Sequence, residues 1–260
     1  MSKSIALLLG LALACCILLI TSSSVHAWKF AAVGDIVCKD APKVATAIKK
    51  AGNNVTLLLG DLGYSTSSKC IGDAFKGMNV KPTVGNHDKT SDVVKVFGKG
   101  DTGTTSFSNV RFLSINTEGF TLSKVAGLLN KYKNDTNYDF IIPIMHKPLV
   151  TNPSAHHTEE AKYRSQLIPL FVSNGKVQLV LNGHNHGFQQ CSSNGINFMT
   201  AGTGGRDPYP WGSKMDDNCH NNISGTNGFL EVVVDGAYMV GYFKDMNGGI
   251  REETTFSIVK

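Results

Sequence analysis

Val55-Thr56-Leu57-Leu58-Leu59-Gly60-Asp61-Leu62-Gly63-Tyr64 is the stretch on which the reading of the fold turns. An apolar, β-branched run this short, stopped by glycine, predicts a buried strand at 55–59, with the polar residues on the loop that leaves its carboxyl end. The same arrangement recurs along the chain. The run 29–33 ends in Gly34-Asp35, 80–84 in Gly85-Asn86-His87-Asp88, 140–145 in His146, and 177–181 leads to Gly183-His184-Asn185-His186. Ligand sites in α/β folds collect beyond the carboxyl ends of strands, so these loops are expected to converge although they are far apart in sequence. Glycine before the polar residues is read as permitting a sharp turn and a close backbone approach.

Outward from these motifs, Asp40 as cap, Pro42 in the first turn, Val44, Ile48 and Ala51 on one face and Gly52 as terminator predict a helix between the first two strands. Further elements are a strand at 110–115 and a helix at 159–173. The last third, with strand-like runs at 196–200, 229–234, 238–243 and 254–259 separated by Gly, Asp and Asn, suggests an antiparallel meander. The expected class is α/β: a two-sheet β-sandwich flanked by helices.

The chain has 260 residues, 42% of them hydrophobic, which suffices for one sizeable core, and no proline-rich, charge-rich or repetitive stretch divides it. A single domain over 28–260 is expected. Residues 1–27 read as a cleaved secretory signal: Lys3, an apolar run at 5–20, polar 21–24, then Val25-His26-Ala27. The run falls short of the ~18 apolar residues of a spanning helix, which makes an uncleaved anchor the lesser alternative. The expected location is extracytoplasmic, with no stable membrane insertion after cleavage. The formal net charge of +5 is spread without a dense Lys/Arg block, so nucleic acid is not an expected partner, and nothing indicates an oligomeric state. Asn54, Asn134 and Asn222 open glycosylation sequons.

Export places Cys38, Cys70, Cys191 and Cys219 where disulfides form. Three pairings are open. Cys38 with Cys70 and Cys191 with Cys219 is favoured, because Cys38 and Cys70 each follow a motif loop that must reach one site; a zinc site lacks the C-x-x-C spacing.

Hard oxygen donors mixed with imidazoles, in greater number than one ion would use, point to two metals. The series Gly-Asp, Gly-Asp-x-x-Tyr, Gly-Asn-His-Asp, His, Gly-His-x-His resembles the calcineurin-like metallophosphoesterase superfamily, and within it the purple acid phosphatase branch, over essentially the whole mature chain. Most of that superfamily carries Asp-x-His in the first motif, whereas Asp35 is followed two residues on by Val37. Tyr64, three residues after Asp61, stands where purple acid phosphatases place a tyrosinate, a hard donor suited to ferric iron.

The resemblance implies Fe(III) held by Asp35, Tyr64 and His186, a divalent ion (Fe, Zn or Mn) held by Asn86, His146 and His184, and Asp61 bridging both. It implies an exported phosphatase that hydrolyses small phosphate monoesters by attack of a metal-activated hydroxide. His87 is the candidate proton donor to the leaving group, with Asp88 to orient or charge-stabilise it, and Asn86 and His87 also face substrate. His156 and His157 resemble the histidine pair with which plant-like members contact the phosphate. A glycine-rich loop, 200–205, lacks the Lys-Ser/Thr of a P-loop, and Arg206, Tyr209 and Trp211 beyond it are candidates for the pocket mouth. The alternatives are a phosphodiesterase with the same metal core, cyclic-nucleotide type included, and a non-catalytic metal- or phosphate-binding module.

Overall fold

The computed structural model describes residues 27–64, 67–152, 157–211 and 218–260. In chain order the elements begin with β1 (Trp28–Val33), β2 (Ile36–Val37), α1 (Ala41–Lys50), β3 (Val55–Leu59), β4 (Leu62–Gly63), α2 (Lys69–Ala74), β5 (Val80–Thr83) and α3 (Thr90–Phe97). They continue with β6 (Gly103–Phe107), β7 (Val110–Ile115), α4 (Leu122–Lys133), β8 (Phe140–Met145), α5 (His157–Asn174), β9 (Leu179–Asn182), β10 (Phe188–Ser193) and β11 (Ile196–Ala201). Last come β12 (Cys219–Ile223), β13 (Gly228–Asp235), β14 (Tyr238–Asp245) and β15 (Ile250–Val259).

One sheet has six strands in the order β15-β14-β13-β1-β3-β5 and a second has seven, β12-β10-β11-β9-β8-β7-β6; β2 and β4 form a short ribbon. Strand alternation builds the layers, because successive side chains point to opposite faces. Phe30, Ala32, Leu57 and Leu59 of the first sheet meet Phe112, Phe140, Ile142, Leu179 and Leu181 of the second in the central core. Their neighbours face outward. Ala31, Val33 and Leu58 pack under Val44 and Ile48 of α1, Ile71 of α2 and Val93 of α3. Leu113, Ile141 and Val180 pack under Val125 and Leu129 of α4 and Leu167 and Phe171 of α5. The result is the expected sandwich of two sheets with helices on both outer faces.

Two local expectations are corrected. Residues 196–200 were expected in the antiparallel meander, but β11 joins the second sheet, parallel to β9 and antiparallel to β10; only β13, β14 and β15 form the meander. Asp40 makes no side-chain cap bond on α1, since its backbone is already helical at φ −98°, ψ −12°. Its carboxylate turns instead toward Gly205, where an added Cβ would lie 2.5 Å from Oδ2.

Strands β1, β3 and β5 run parallel in one sheet, and β7, β8, β9 and β11 run parallel in the other. Every motif loop leaves the carboxyl end of one of these strands. Both disulfides take the favoured pairing, Cys38 with Cys70 and Cys191 with Cys219. Among the described residues no helix is long and apolar enough to cross a membrane.

Candidate metal centre

The loops are laced together through their backbones. Gly34 N–H donates to Ala201 O at 2.8 Å, Asp35 N–H to Gly60 O at 3.0 Å, Gly183 N–H to His146 O at 3.1 Å and Gly204 N–H to Gly34 O at 3.0 Å. Within this lacing Asp35 (φ 59°), Asp61 (φ 54°), Tyr64 (φ 51°) and His184 (φ 72°) adopt left-handed backbone. Each such non-glycine residue costs about 1–3 kcal/mol, and such strain clusters at functional sites. The sharp turns expected of the preceding glycines are therefore taken largely by the polar residues themselves. Gly60 does turn, at φ 87°. Gly85 and Gly183 matter for room: a Cβ on Gly183 would lie 2.6 Å from Asp35 Oδ2, and one on Gly85 would overlap Asp61 Oδ1.

Two groups of donors result. In the first, Tyr64 Oη donates to Asp35 Oδ1 at 2.9 Å and lies 3.0 Å from His186 Nε2, itself 3.5 Å from Asp35 Oδ1. Asp35 Oδ2 accepts the His184 N–H at 2.9 Å. In the second, His146 Nε2 lies 3.3 Å from Asp61 Oδ1, 3.1 Å from Asn86 Oδ1 and 3.3 Å from His184 Nδ1. The outer nitrogens are fixed by carbonyls: His146 Nδ1 is 2.8 Å from Leu59 O and His186 Nδ1 is 2.7 Å from Asp207 O. Each Nδ1–H donates to its carbonyl, which aims Nε2 into the cleft, the usual support for a metal-ligating imidazole.

Burial lowers the proton affinity of His146, but the Asp61 carboxylate outweighs it and lifts the pKa to about 10. Burial alone would raise Asp61; the His146 cation, with help from the His87 N–H, holds it well below the usual carboxylate range. Burial, followed by the Asp35 and Asp61 carboxylates, pushes the Tyr64 phenol far up, so its proton leaves only when another cation takes that place. The cleft thus calls for positive charge, and Asp35, Asp61 and His146, all buried, offer ligand atoms within 4.8 Å of one another. A metal ion fits that donor set.

His87 lies at the mouth, its side chain 57% exposed and Nε2 4.0 Å from Asp61 Oδ2, while its backbone N–H donates to Asp61 Oδ1 at 2.9 Å. Asp88 does not orient it: among the described residues no hydrogen bond joins the two side chains. The Asp88 carboxylate instead accepts Leu62 N–H at 2.7 Å and Gly85 N–H at 2.8 Å, bracing one motif loop against another. Burial lifts its pKa to about 6 despite those two donors. His156 lies outside the described residues, and of His157 only the backbone, opening α5, is described.

Sequence reasoning missed two supports. Lys147 pairs with Glu118 at 3.0 Å, next to His146 in the chain, and the buried Thr151 and Gln189 hold Asn185 between the two loop histidines (Asn185 Nδ2 to Thr151 Oγ1 2.9 Å, Thr151 Oγ1 to Gln189 Oε1 2.8 Å). Neither carries a sequence signal, because both depend on residues brought together only by the sheet. Of the mouth candidates, Tyr209 stacks on His186 with ring centroids 4.0 Å apart, Arg206 lies 4.7 Å over the Tyr64 ring, and Trp211 donates to Ile223 O at 3.3 Å.

A cleft of this composition, on the carboxyl edges of two facing sheets, is of the kind that metal-dependent hydrolases use. Residues 29–188 match the calcineurin-like phosphoesterase family, and the chain belongs to that family, whose members use a dinuclear metal centre. No curated protein sequence matches it. Among solved structures the fold is similar to GAP50, the anchor in the inner membrane complex of Plasmodium (TM-score 0.74, 16% identity, covering 90% of this chain and 89% of that one). It is equally similar to the purple acid phosphatase PPD1 from yellow lupin seeds (TM-score 0.74, 12% identity, 90% of this chain and 54% of that one). A dimetal phosphatase from Danio rerio is also similar (TM-score 0.58, 12% identity, 89% and 98%). At these identities the likeness is one of fold.

Proposed function

We propose that the chain is an exported binuclear-metal phosphatase of the purple acid phosphatase type, acting on phosphate monoesters. The observation that carries this reading is Tyr64. Its Oη sits between Asp35 Oδ1 and His186 Nε2, at 2.9 and 3.0 Å, supplying the donor that Val37 in the first motif lacks. Asp35, Tyr64 and His186 would hold Fe(III), Asn86, His146 and His184 a divalent ion (Fe, Zn or Mn), and Asp61 would bridge. When bound, the metals supply Lewis-acid polarisation of the phosphoryl group and lower the pKa of the attacking water. The chain's own part is to fix imidazole orientation through Leu59 O and Asp207 O and to present His87 at the open mouth, where it donates a proton to the leaving oxygen. The two disulfides support an oxidising, extracytoplasmic setting.

The test is the visible spectrum of protein purified without chelators. A purple band in wild type that is lost in Tyr64→Phe is expected; a colourless, metal-loaded wild type would overturn the ferric assignment. Assay of matched aryl mono- and diesters then decides substrate class, and a marked diester preference would turn the reading to a phosphodiesterase.

A further inference from the structure

Arg206 ends the glycine-rich loop after β11 and is pinned on both sides. Gly205 bridges to Ile36, the residue after Asp35, while Asp207 O and the Tyr209 N–H both hold His186. The side chain between these anchors is exposed, yet its guanidinium lies 4.7 Å over the Tyr64 ring, whose Oη contacts Asp35 and His186. Among the described residues no carboxylate forms an ion pair with it. A cation beside a metal cleft, with no acidic partner among the described residues, calls for an anion from solution. A guanidinium also has the planar fork that matches two oxygens of a phosphoryl group. Tyr209, stacked on His186, and His87, its ring centroid 5.1 Å from that of Tyr64, lie against the same donors.

We propose that Arg206 binds the non-bridging oxygens of the substrate's phosphoryl group and thereby favours monoester dianions over diesters. This rests on the phosphatase reading for the identity of the substrate, but not for the binding of the anion. Loss of charge-assisted hydrogen bonds weakens binding by about tenfold to a hundredfold.

The experiment is calorimetric titration of metal-loaded wild type, Arg206→Ala and Arg206→Lys with inorganic phosphate, alongside steady-state kinetics on matched aryl mono- and diesters. Phosphate affinity is expected to fall in both variants, more in Arg206→Ala, with metal content per chain unchanged. KM for the monoester should rise in parallel while kcat changes little, and the monoester-to-diester ratio of kcat/KM should drop. Arg206→Lys keeps the charge and serves if Arg206→Ala folds poorly. Wild-type phosphate affinity in both variants, or a wild type that binds no phosphate, overturns the proposal. A wild type that binds phosphate through Arg206 but hydrolyses no ester overturns the phosphatase reading and leaves the anion site standing.

Discussion

Gly85 sits where Asp61 leaves no room for a side chain. Gly85→Ala would drive its Cβ into the carboxylate proposed to bridge two metals. Overpacking of this kind costs about 1–3 kcal/mol, so a lowered Tm together with reduced metal per chain is expected by thermal denaturation and metal analysis. Full metal content in the alanine variant would show that Asp61 can yield. His87 differs in kind: its ring is open to solvent and borders the donor clusters with no side-chain hydrogen bond to them among the described residues, Nε2 lying 4.0 Å from Asp61 Oδ2. His87→Ala should lower kcat by about 10²–10⁴-fold, the usual contribution of a general acid, with metal content unchanged; an emptied site would make it a structural residue. At this scale the site was legible because its donors are side chains whose chemistry is written in the sequence. What was not legible is conformation. That Asp35, Asp61, Tyr64 and His184 take up left-handed backbone while Gly85 and Gly183 serve by lacking a Cβ follows from loops packing on one another.

The elements show a similar division. Buried strands such as β3, β7 and β8 announce themselves as short apolar runs, and their ends match the structure residue for residue. Helices α2 and α3, of six and eight residues, are too short for a periodic face to stand out, and the β2–β4 ribbon is two residues wide. The parallel placement of β11 depends on which sheet it joins, which local pattern does not encode. The β2–β4 ribbon matters to the site, since Ile36 pairs with Leu62 and Val37 with Gly63, fixing the Asp35 loop against the Asp61 loop. The Cys38–Cys70 disulfide, with a sequence separation of 32, ties the end of that ribbon to α2. Replacing both cysteines by serine should cost about 2–4 kcal/mol by the loop-closure argument, read as a lower urea midpoint. A larger fall in metal affinity than in the Cys191–Cys219 counterpart is expected, because Cys38 lies against the Asp61 loop itself, its Sγ 3.3 Å from Gly63 O, whereas Cys191 meets Gln189, which supports the histidine loop through Thr151. Equal metal affinity in the two variants would remove Cys38–Cys70 from any role in shaping the site.

For the molecule as a whole, an enzyme proposed to work in acid must keep its sheets together there, and the first sheet contains a buried charge that governs this. Glu231 in β13 is fully buried, and its carboxylate accepts from Lys244 Nζ at 2.8 Å, Tyr242 Oη at 2.8 Å and Asn53 Nδ2 at 3.0 Å, with Lys29 Nζ 3.8 Å away. It thus joins β1, β13, β14 and the turn before β3. Burial raises its pKa, but the Lys244, Tyr242 and Asn53 hydrogen bonds outweigh that and hold it below the ordinary glutamate value. A carboxylate whose pKa is lower folded than unfolded binds fewer protons in the folded state. Its contribution is therefore present in full above the unfolded pKa and is lost as pH falls through the folded one. Glu231→Gln should accordingly be less stable than wild type at neutral pH, and still so at mildly acidic pH, with the two stabilities converging only below the ordinary glutamate range. Urea unfolding of both proteins across a pH series measures this. A gap that is constant with pH would mean that packing and amide hydrogen bonds, rather than the ionised carboxylate, hold this junction. A gap that closes already near neutrality would mean that the folded protein protonates Glu231 early, and that the first sheet loosens under the conditions in which an acid phosphatase has to act.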